Sequence, residues 1–169
     1  VNSRVTDIRD GQEYATVATE DGTYRGNYIF DSRFISRDFF VDENRYRFVK
    51  QHFAGWLVKT ERPIFDPEAA TMFDLRIEQR GDMRFMYILP FDEHTALLEY
   101  TLFSSRLLPK EEYRQGIRDY IEEFLDGTTY EILEEEDGII PMTDQPFQRA
   151  AGQRILNIGT RGGMVKAST

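Results

Sequence analysis

The stretch from residue 84 to residue 105 is the feature that most constrains the fold of this chain. It reads Arg-Phe-Met-Tyr-Ile-Leu-Pro-Phe-Asp-Glu-His-Thr-Ala-Leu-Leu-Glu-Tyr-Thr-Leu-Phe-Ser-Ser. Two apolar, aromatic-rich runs flank a short polar turn at residues 92–94, a pattern typical of a β-hairpin. A carboxylate, Glu99, stands in the middle of the second run. The sequence therefore predicts two paired strands, one of which carries a charge.

Glu99 is the unusual residue of this hairpin, because burying an unpaired carboxylate is costly. Strand alternation places apolar side chains on both faces of the run, so Glu99 has no obviously wet side. Two interpretations remain open from the residues alone. In the commoner one, Glu99 is exposed or salt-bridged to a neighbour such as Arg84. In the other, it is a general acid whose pKa is raised in an apolar site.

Charge and composition exclude several classes of function. The formal net charge of −9 and the isoelectric point near 4.8 argue against a nucleic-acid partner, which needs clustered Lys and Arg. The chain has no cysteine, so disulfides and thiolate metal sites are excluded. The two histidines, His52 and His94, show no metal-ligand spacing, and no metal site is predicted. No apolar run reaches the roughly 20 residues of a spanning helix, so any membrane contact is expected to be peripheral.

Most of the remaining chain is interpreted as strands. Runs of β-prone residues separated by Asp10-Gly11 and Asp21-Gly22 predict a small antiparallel meander in residues 5–30. Alternating patterns predict further strands at residues 55–61, 71–79, 129–133 and 154–158. Residues 34–53 have no clean period and are interpreted as loop with a short strand. The acidic run 134–137 is interpreted as a solvated strand end.

One segment has the pattern of an α-helix. Pro109 stands at the expected first position and Gly127 at the expected end. Between them apolar residues recur at three-to-four spacing: Tyr113, Ile117, Tyr120, Ile121, Phe124 and Leu125. We therefore predict an α+β fold in which this helix covers one face of an antiparallel sheet.

Three glycines follow the last predicted strand, Gly159, Gly162 and Gly163. Glycines in this position let backbone N–H groups approach a cofactor, although a plain turn is the commoner reason for them. No Gly-x-Ser-x-Gly nucleophile elbow occurs anywhere in the chain.

The hairpin motif, Phe-Met-Tyr-Ile-Leu-Pro-Phe followed by Leu-Leu-Glu-Tyr-Thr, resembles the signatures of the flavoprotein lycopene cyclases. Other segments match the family in the same order along the chain. These are Gln-His-Phe-Ala-Gly-Trp at 51–56, Thr-Glu-Arg-Pro-Ile-Phe-Asp-Pro at 60–67, Gly-Ile-Ile-Pro-Met at 138–142, Gly-Thr-Arg-Gly-Gly-Met-Val at 159–165, and Ala-Ser-Thr at 167–169. The resemblance covers most of residues 28–169.

The resemblance implies a Rossmann-type flavin domain interrupted by an antiparallel substrate-binding domain. In that arrangement residues 1–33 are a meander from the flavin domain, 34–148 form the substrate-binding domain, and 149–169 return to the flavin domain. The family's Gly-x-Gly-x-x-Gly fingerprint is absent, and the chain ends where the family continues with Gly-Tyr, so a fragment is expected. FAD is then expected in the full-length protein and not on this fragment alone.

The resemblance also implies the chemistry. Glu99 would protonate a terminal alkene of a lycopene-like carotenoid, and the ring-closed carbocation would lose a proton with no net redox change. Reduced FAD would be required, with NAD(P)H as the reductant. The expected substrate-binding residues are Trp56, Phe85, Tyr87 and Phe103, and the expected cofactor-binding residues are Gly159, Gly162, Gly163 and Met164. The full-length enzyme is expected to be cytoplasmic and peripheral to the membrane.

Two departures from the family pattern leave other reactions open. Tyr100 replaces the second acidic residue that often follows the catalytic Glu, and Lys166 and Ala167 stand where the family tends to carry His-Pro. One alternative is a flavin-dependent reductase or hydroxylase of an isoprenoid or aromatic substrate. Another is a non-catalytic module that binds apolar ligands.

Overall fold

A computed structural model describes residues 2–34 and 39–164 of the chain. The chain divides into two compact units, one made of Val1–Arg47 with Thr143–Thr169 and the other of Phe48–Met142. We call them the flanking unit and the sheet unit. The sequence placed the substrate-binding domain at 34–148, a range that contains the whole sheet unit. Lys166 and Ala167, with the Ala-Ser-Thr segment that ends the chain, lie outside the described residues.

The secondary structure is mostly β with one long helix. In chain order the elements are β1 (Val5–Arg9), β2 (Ala15–Thr19), β3 (Gly22–Gly26), β4 (Ile29–Asp31), β5 (Phe48–Thr60), β6 (Thr71–Asp74), β7 (Met83–Pro90), β8 (Thr95–Ser104), α1 (Lys110–Phe124), β9 (Tyr130–Thr143) and β10 (Ile155–Asn157). A 3₁₀ turn follows at Gly159–Gly162. No helix in the described residues is long and apolar enough to cross a membrane.

The flanking unit contains the predicted meander. Strands β1, β2 and β3 pair antiparallel in sequence order, with the two Asp-Gly pairs between or beside them. Strand β4 pairs in parallel with β10, which lies more than a hundred residues later in the chain. The meander is confirmed, and the parallel pair is a feature that local patterns did not predict.

The sheet unit is built around the predicted hairpin, which is confirmed. Strands β7 and β8 pair antiparallel in the middle of a five-stranded sheet of order β6-β7-β8-β5-β9. The turn between them is closed by Asp92, whose Oδ1 accepts hydrogen bonds of 2.7 Å from the backbone N–H groups of His94 and Thr95. An Asp side chain that bonds the backbone two residues on is a common means of fixing a turn.

Helix α1 covers one face of this sheet, as its periodicity predicted. Pro109 immediately precedes it, and Glu111 and Glu112 lie in its first turn, where negative charge is favourable. Its buried residues are Tyr113, Ile117, Tyr120 and Ile121. They share one core with alternate residues of the central strands, including Trp56, Val58, Met86, Ile88, Leu98, Tyr100 and Leu102.

Three predicted strand boundaries were wrong. Strand β5 begins at Phe48, so residues 48–53 are strand rather than loop. Strand β6 ends at Asp74 instead of continuing to residue 79, because the buried Asp74 carboxylate accepts hydrogen bonds from the backbone N–H and the side chain of Arg76 and turns the chain. The acidic run 134–137 lies inside β9, not at a strand end. Strand β9 is the last strand in the sheet order, where charged side chains are tolerated.

Candidate active site around Glu99

The strand register places Glu99 at the centre of the sheet face that is turned away from helix α1. On β5 its partner is Gly55 and on β7 its partner is Tyr87. Because paired residues in a sheet point to the same side, the residues that share this side with Glu99 can be read from the register. We call this side the Glu99 face. Around Glu99 it includes Phe53, Gly55, Leu57, Phe85, Tyr87, Leu89, Leu97, Thr101 and Phe103, and towards the strand ends Gln51, Lys59, Met83 and Thr95.

Aromatic rings cluster beside Glu99. The ring of Phe85 lies 5.0 Å from that of Tyr87, edge to face, and 5.9 Å from that of Phe103. Phe73 of β6 adds a fourth ring, 4.9 Å from Phe85 and 5.4 Å from Tyr87. The structure thus brings together three of the four predicted substrate-binding residues. Phe73 was not predicted as a site residue, although its alternating strand pattern was visible in the sequence.

Trp56, the fourth predicted substrate-binding residue, lies on the opposite side of the sheet. Its register partner is Leu98, and both belong to the core under helix α1. The Trp56 side chain is 3% exposed, its ring is 6.3 Å from that of Tyr130, and the guanidinium of Arg118 lies 5.9 Å above it. Trp56 therefore does not line the Glu99 face. Adjacent residues of a strand point to opposite sides of the sheet, so Trp56, next to Gly55, lies on the side away from Glu99.

Glu99 is partly buried and has no cationic partner. Its Oε1 accepts a 2.7 Å hydrogen bond from Thr101 Oγ1, and no ion pair involves it among the described residues. Burial raises the pKa of Glu99 above its ordinary value, against the lowering effect of the Thr101 hydrogen bond, and the negative charge of Glu136 raises it further. A carboxyl in this setting is suited to donate a proton.

Arg84 does not pair with Glu99, so the salt-bridge interpretation is wrong for that residue. Arg84 lies on the helix side of β7, where its Nη1 donates to Tyr100 Oη at 3.1 Å and to Glu112 Oε1 at 3.0 Å. Its Nη2 donates to Asp82 Oδ2 at 3.3 Å. The guanidinium therefore links β7, β8 and α1, and it leaves the Glu99 face without a positive charge from this strand.

His52 is also on the helix side and belongs to a buried polar network. Its Nδ1 lies 2.6 Å from Tyr113 Oη and its Nε2 lies 2.9 Å from Ser104 Oγ. Tyr113 Oη also accepts a 3.1 Å bond from the N–H of Leu108. Burial lowers the pKa of His52, so the ring is held neutral. Its role is to join the start of α1 to the sheet.

A second carboxylate, Glu136 of β9, lies on the Glu99 face. A Cβ built on Gly55 would be 3.1 Å from Glu136 Cγ and 3.2 Å from its Oε1. Gly55 is also the register partner of Glu99, so the Glu136 side chain lies over the glycine beside the acid. All four residues of the run 134–137 are exposed, as the sequence predicted. Glu136 differs from its neighbours in that its side chain lies over Gly55, whereas Glu135 pairs with Arg114 of the helix.

The predicted cofactor-binding glycines form a tight turn at the carboxyl end of β10. Gly159 and Gly163 have φ angles of 58° and 71°, which favour glycine. The N–H groups of Gly162, Gly163 and Met164 donate to Ile158 O, Thr160 O and Gly159 O, respectively. These three N–H groups are therefore engaged within the turn itself. The N–H groups of Gly162, Gly163 and Met164 are not available to a phosphate while the turn keeps these bonds.

A buried ion-pair group lies beside this turn and was not predicted from the sequence. Asp31, at the end of β4, accepts bonds of 2.9 Å and 3.1 Å from Nε and Nη2 of Arg33, and Arg161 Nε lies 3.3 Å from its Oδ2. Burial alone would raise the pKa of Asp31, but the bonds from Arg33 outweigh it and hold that pKa below its usual value. Parallel strands of open α/β sheets bind ligands at this end.

Comparisons with known proteins give a family and a fold. The family model described as lycopene cyclase protein matches residues 1–169. Neoxanthin synthase, chloroplastic, of Solanum tuberosum is 25% identical over 181 residues, an alignment that covers 99% of this chain and 36% of that protein. The same protein of Solanum lycopersicum matches to the same extent. This chain thus spans about a third of the length of these relatives.

Two solved structures share the fold at low sequence identity. A Diels-Alderase in the biosynthetic pathway of pyrroindomycins superposes with a TM-score of 0.54 at 15% identity, covering 94% of this chain and 34% of that one. A flavin-dependent brominase superposes with a TM-score of 0.51 at 12% identity, covering 94% of this chain and 43% of that one. At these identities the likeness concerns the mostly antiparallel sheet with its one helix.

Proposed function

Because this chain belongs to the lycopene cyclase protein family, we propose that it supplies the substrate-binding part of an FAD-dependent enzyme that cyclises the ends of a linear, lycopene-like carotene without net redox change. The observation that carries this proposal is the setting of Glu99. It is a carboxyl with a raised pKa that has no cationic partner in residues 2–34 and 39–164, on a sheet face rich in aromatic rings.

The first step that these residues support is proton donation. A terminal alkene is a very weak base, so the acid that protonates it has to be kept in its neutral form and shielded from water. Burial raises the pKa of Glu99 and so favours its neutral form, and the ring of Tyr87, its register partner on β7, adds apolar surface beside it. The O–H bond of Glu99 breaks and a C–H bond forms on the substrate, leaving a carbocation that closes the ring.

In the second step the carbocation is stabilised and then loses a proton. Aromatic faces stabilise a nearby cation by about 0.5–2 kcal/mol each. On this side of the sheet the rings that keep exposed surface are those of Phe73, Tyr87 and Phe103, whereas Phe85 is 0% exposed and packs against all three. Loss of a proton from a carbon next to the cation then gives the cyclic end group. The proton that is gained equals the proton that is lost, so the reaction is an isomerisation.

The proposal extends to the full-length protein. There FAD, kept reduced by NAD(P)H, is the proposed cofactor, and it would be required without a net transfer of electrons to the substrate. The domain that holds it is proposed to be of the Rossmann type and to include the parallel pair of β4 and β10. We further propose that the enzyme is cytoplasmic and contacts the membrane peripherally, since its substrate is apolar.

The test is expression of the full-length protein in cells that accumulate lycopene, followed by analysis of the pigments. We expect cyclic end groups with the unaltered protein, none with Glu99→Gln, and full activity with Glu123→Gln, an exposed carboxylate of α1. Flavin content should be equal in all three. Unchanged lycopene in the presence of soluble, flavin-loaded protein would contradict the proposal. Consumption of one NAD(P)H per product would indicate a reductase or hydroxylase instead.

A further inference from the structure

Glu136 and Glu99 come from strands that are not neighbours, and a glycine lies between them. In the sheet order β5 separates β8 from β9. The residue of β5 that pairs with Glu99 is Gly55. The Glu136 side chain occupies the space above that glycine, with Cγ and Oε1 3.1 Å and 3.2 Å from the position of a Cβ. Any larger residue at position 55 would fill this space and separate the two carboxyl groups.

The strand geometry also shows why a second carboxylate cannot come from position 100. Tyr100 follows Glu99 directly, so it points to the other side of β8. Its ring packs against Gly116 of the helix and its hydroxyl accepts a bond from Arg84. An acid at position 100 would lie in the core under the helix. The second carboxylate on the Glu99 face comes instead from β9, where the Glu136 side chain lies over Gly55.

We propose that Glu136 is a positioning residue for Glu99: the two carboxyl groups form a pair across Gly55 in which Glu136 carries the negative charge and Glu99 keeps its proton. The consequence for catalysis rests on the proposed function, whereas the pairing itself does not. Two carboxylates that share a site do not both ionise readily, so the proton stays on the one that is less solvated. That one is Glu99, because Glu136 is exposed and Glu99 is partly buried.

The other charged and titratable groups that face Glu99 are few. Tyr87 faces it from β7, and Lys59 lies on the same side of β5 but pairs with Thr95, four residues along β8. Glu134 of β9 is two residues from Glu136 and is exposed. Burial is the largest cause of the raised pKa of Glu99, the Thr101 hydrogen bond opposes it, and Glu136 adds to it.

The pair also accounts for the return of the proton. When Glu99 protonates the alkene, its new negative charge lies beside that of Glu136, and this repulsion favours rapid reprotonation. The ring-closed cation releases a proton from carbon, which re-forms the O–H bond of Glu99. One C–H bond is made and one is broken, the carboxyl pair regains its starting state, and no other base is required.

The test compares Glu136→Gln with Glu134→Gln in the full-length protein. Glutamine keeps the shape of the side chain and removes the charge. We expect Glu136→Gln to move the alkaline limb of the pH–rate profile of cyclisation to lower pH by about half to one pH unit, and added salt to weaken this difference. Glu134→Gln should leave the limb in place. An equal shift for both variants, or no shift for Glu136→Gln, would overturn the pairing.

A second readout does not need cyclisation. The infrared carbonyl stretch of the protonated Glu99 carboxyl, assigned by its loss in Glu99→Gln, should titrate at a lower pH in Glu136→Gln than in the unaltered protein. If pigments stay linear but this midpoint moves, the pairing stands and the proposed function fails. If cyclisation proceeds but neither the midpoint nor the rate profile moves, the pairing fails and the proposed function stands.

Gly55→Ala tests the geometry without removing a charge. Its Cβ would meet the flexible Glu136 side chain at 3.1 Å and Leu97 Cδ1 at 3.2 Å, contacts that small side-chain movements relieve. We expect Glu136 to be displaced and the titration of Glu99 to shift in the same direction as in Glu136→Gln. A normal titration midpoint in correctly folded Gly55→Ala would contradict the role of the glycine.

Discussion

The ring of Tyr100 occupies the space that a side chain at Gly116 would need. A Cβ built on Gly116 would lie 2.5 Å from Cε2 of Tyr100 and 2.8 Å from its Cζ. Tyr100 is 5% exposed and its hydroxyl is bonded to Arg84, so the ring is not free to move away. A glycine in the middle of α1 thus lets the helix approach β8 closely at Tyr100.

This contact reverses the usual effect of replacing a helical glycine. In an exposed helix Gly→Ala is stabilising by about 1 kcal/mol. For Gly116→Ala we expect destabilisation by about 1–3 kcal/mol, because the methyl group overpacks the core. Denaturant-induced unfolding gives the value, and Gln115→Ala, on the exposed side of the same helix, should change stability by less than about 0.5 kcal/mol. A stabilised Gly116→Ala would show that the helix can shift away from Tyr100.

The raised pKa of Glu99 makes a prediction about stability that does not involve substrate. The folded state holds the Glu99 proton more tightly than the unfolded state does, so the folded state loses stability as the pH rises from about 4.5 through the raised value. Glu99→Gln removes this loss. We expect its melting temperature to exceed that of the unaltered protein at pH 8 and the gain to shrink as the pH falls towards 5. A gain that is independent of pH would contradict a raised pKa.

Asp74 and Tyr120 give the opposite dependence on pH. Tyr120 Oη donates a 2.7 Å bond to Asp74 Oδ2, and the bonds from Arg76, with this one, hold the pKa of Asp74 well below its usual value. The stability that this carboxylate contributes is therefore present above about pH 4 and is lost in more acid solution. Tyr120→Phe should cost about 1.5–3 kcal/mol at pH 7, since a hydrogen bond to a charged group is lost.

Because the folded protein keeps Asp74 ionised well below pH 4, the cost of Tyr120→Phe should stay constant from pH 7 to about pH 4 and become smaller only in more acid solution, where folded Asp74 takes up a proton. Urea unfolding at several pH values measures it. Tyr24→Phe removes a hydroxyl from an exposed ring and should be neutral at every pH. A cost for Tyr120→Phe that already shrinks between pH 7 and pH 4 would contradict the lowered pKa of Asp74.

The features that the sequence predicted correctly are those that depend on short, local stretches of the chain. The hairpin of β7 and β8 follows from two apolar runs and an Asp-containing turn, and helix α1 follows from apolar spacing between Pro109 and Gly127. Both patterns reflect local geometry, so they can be recognised without knowledge of the rest of the fold. Glu99 was correctly identified as a residue without a wet side for the same reason.

The features that the sequence did not predict depend on distant partners. Strand β6 ends early because the Asp74 carboxylate bonds the backbone N–H and the side chain of Arg76, and the same carboxylate is held by Tyr120, 46 residues away. Trp56 was predicted to bind the substrate because aromatic residues are suited to that role. The face of the sheet on which Trp56 lies, however, depends on the register of β5 with β8. Glu136 joins the site only because β9 pairs with β5, and strand order is not visible in a single sequence.

The placement of the aromatic residues leads to the last prediction, which compares Trp56 with Phe103. Phe103 lies on the Glu99 face, 5.9 Å from Phe85, while Trp56 lies in the core under α1. If the Glu99 face binds the cationic intermediate, Phe103→Leu should lower cyclisation by about 3- to 30-fold, the loss of one cation–π contact, with little effect on stability. Trp56→Phe should lower the melting temperature and leave the rate per folded, flavin-loaded enzyme unchanged. The rates are measured with full-length protein at equal flavin content, so that loss of folded enzyme is not read as loss of turnover. A lower rate per flavin in Trp56→Phe, with Phe103→Leu unaffected, would place the substrate on the helix side of the sheet and remove Glu99 from the reaction.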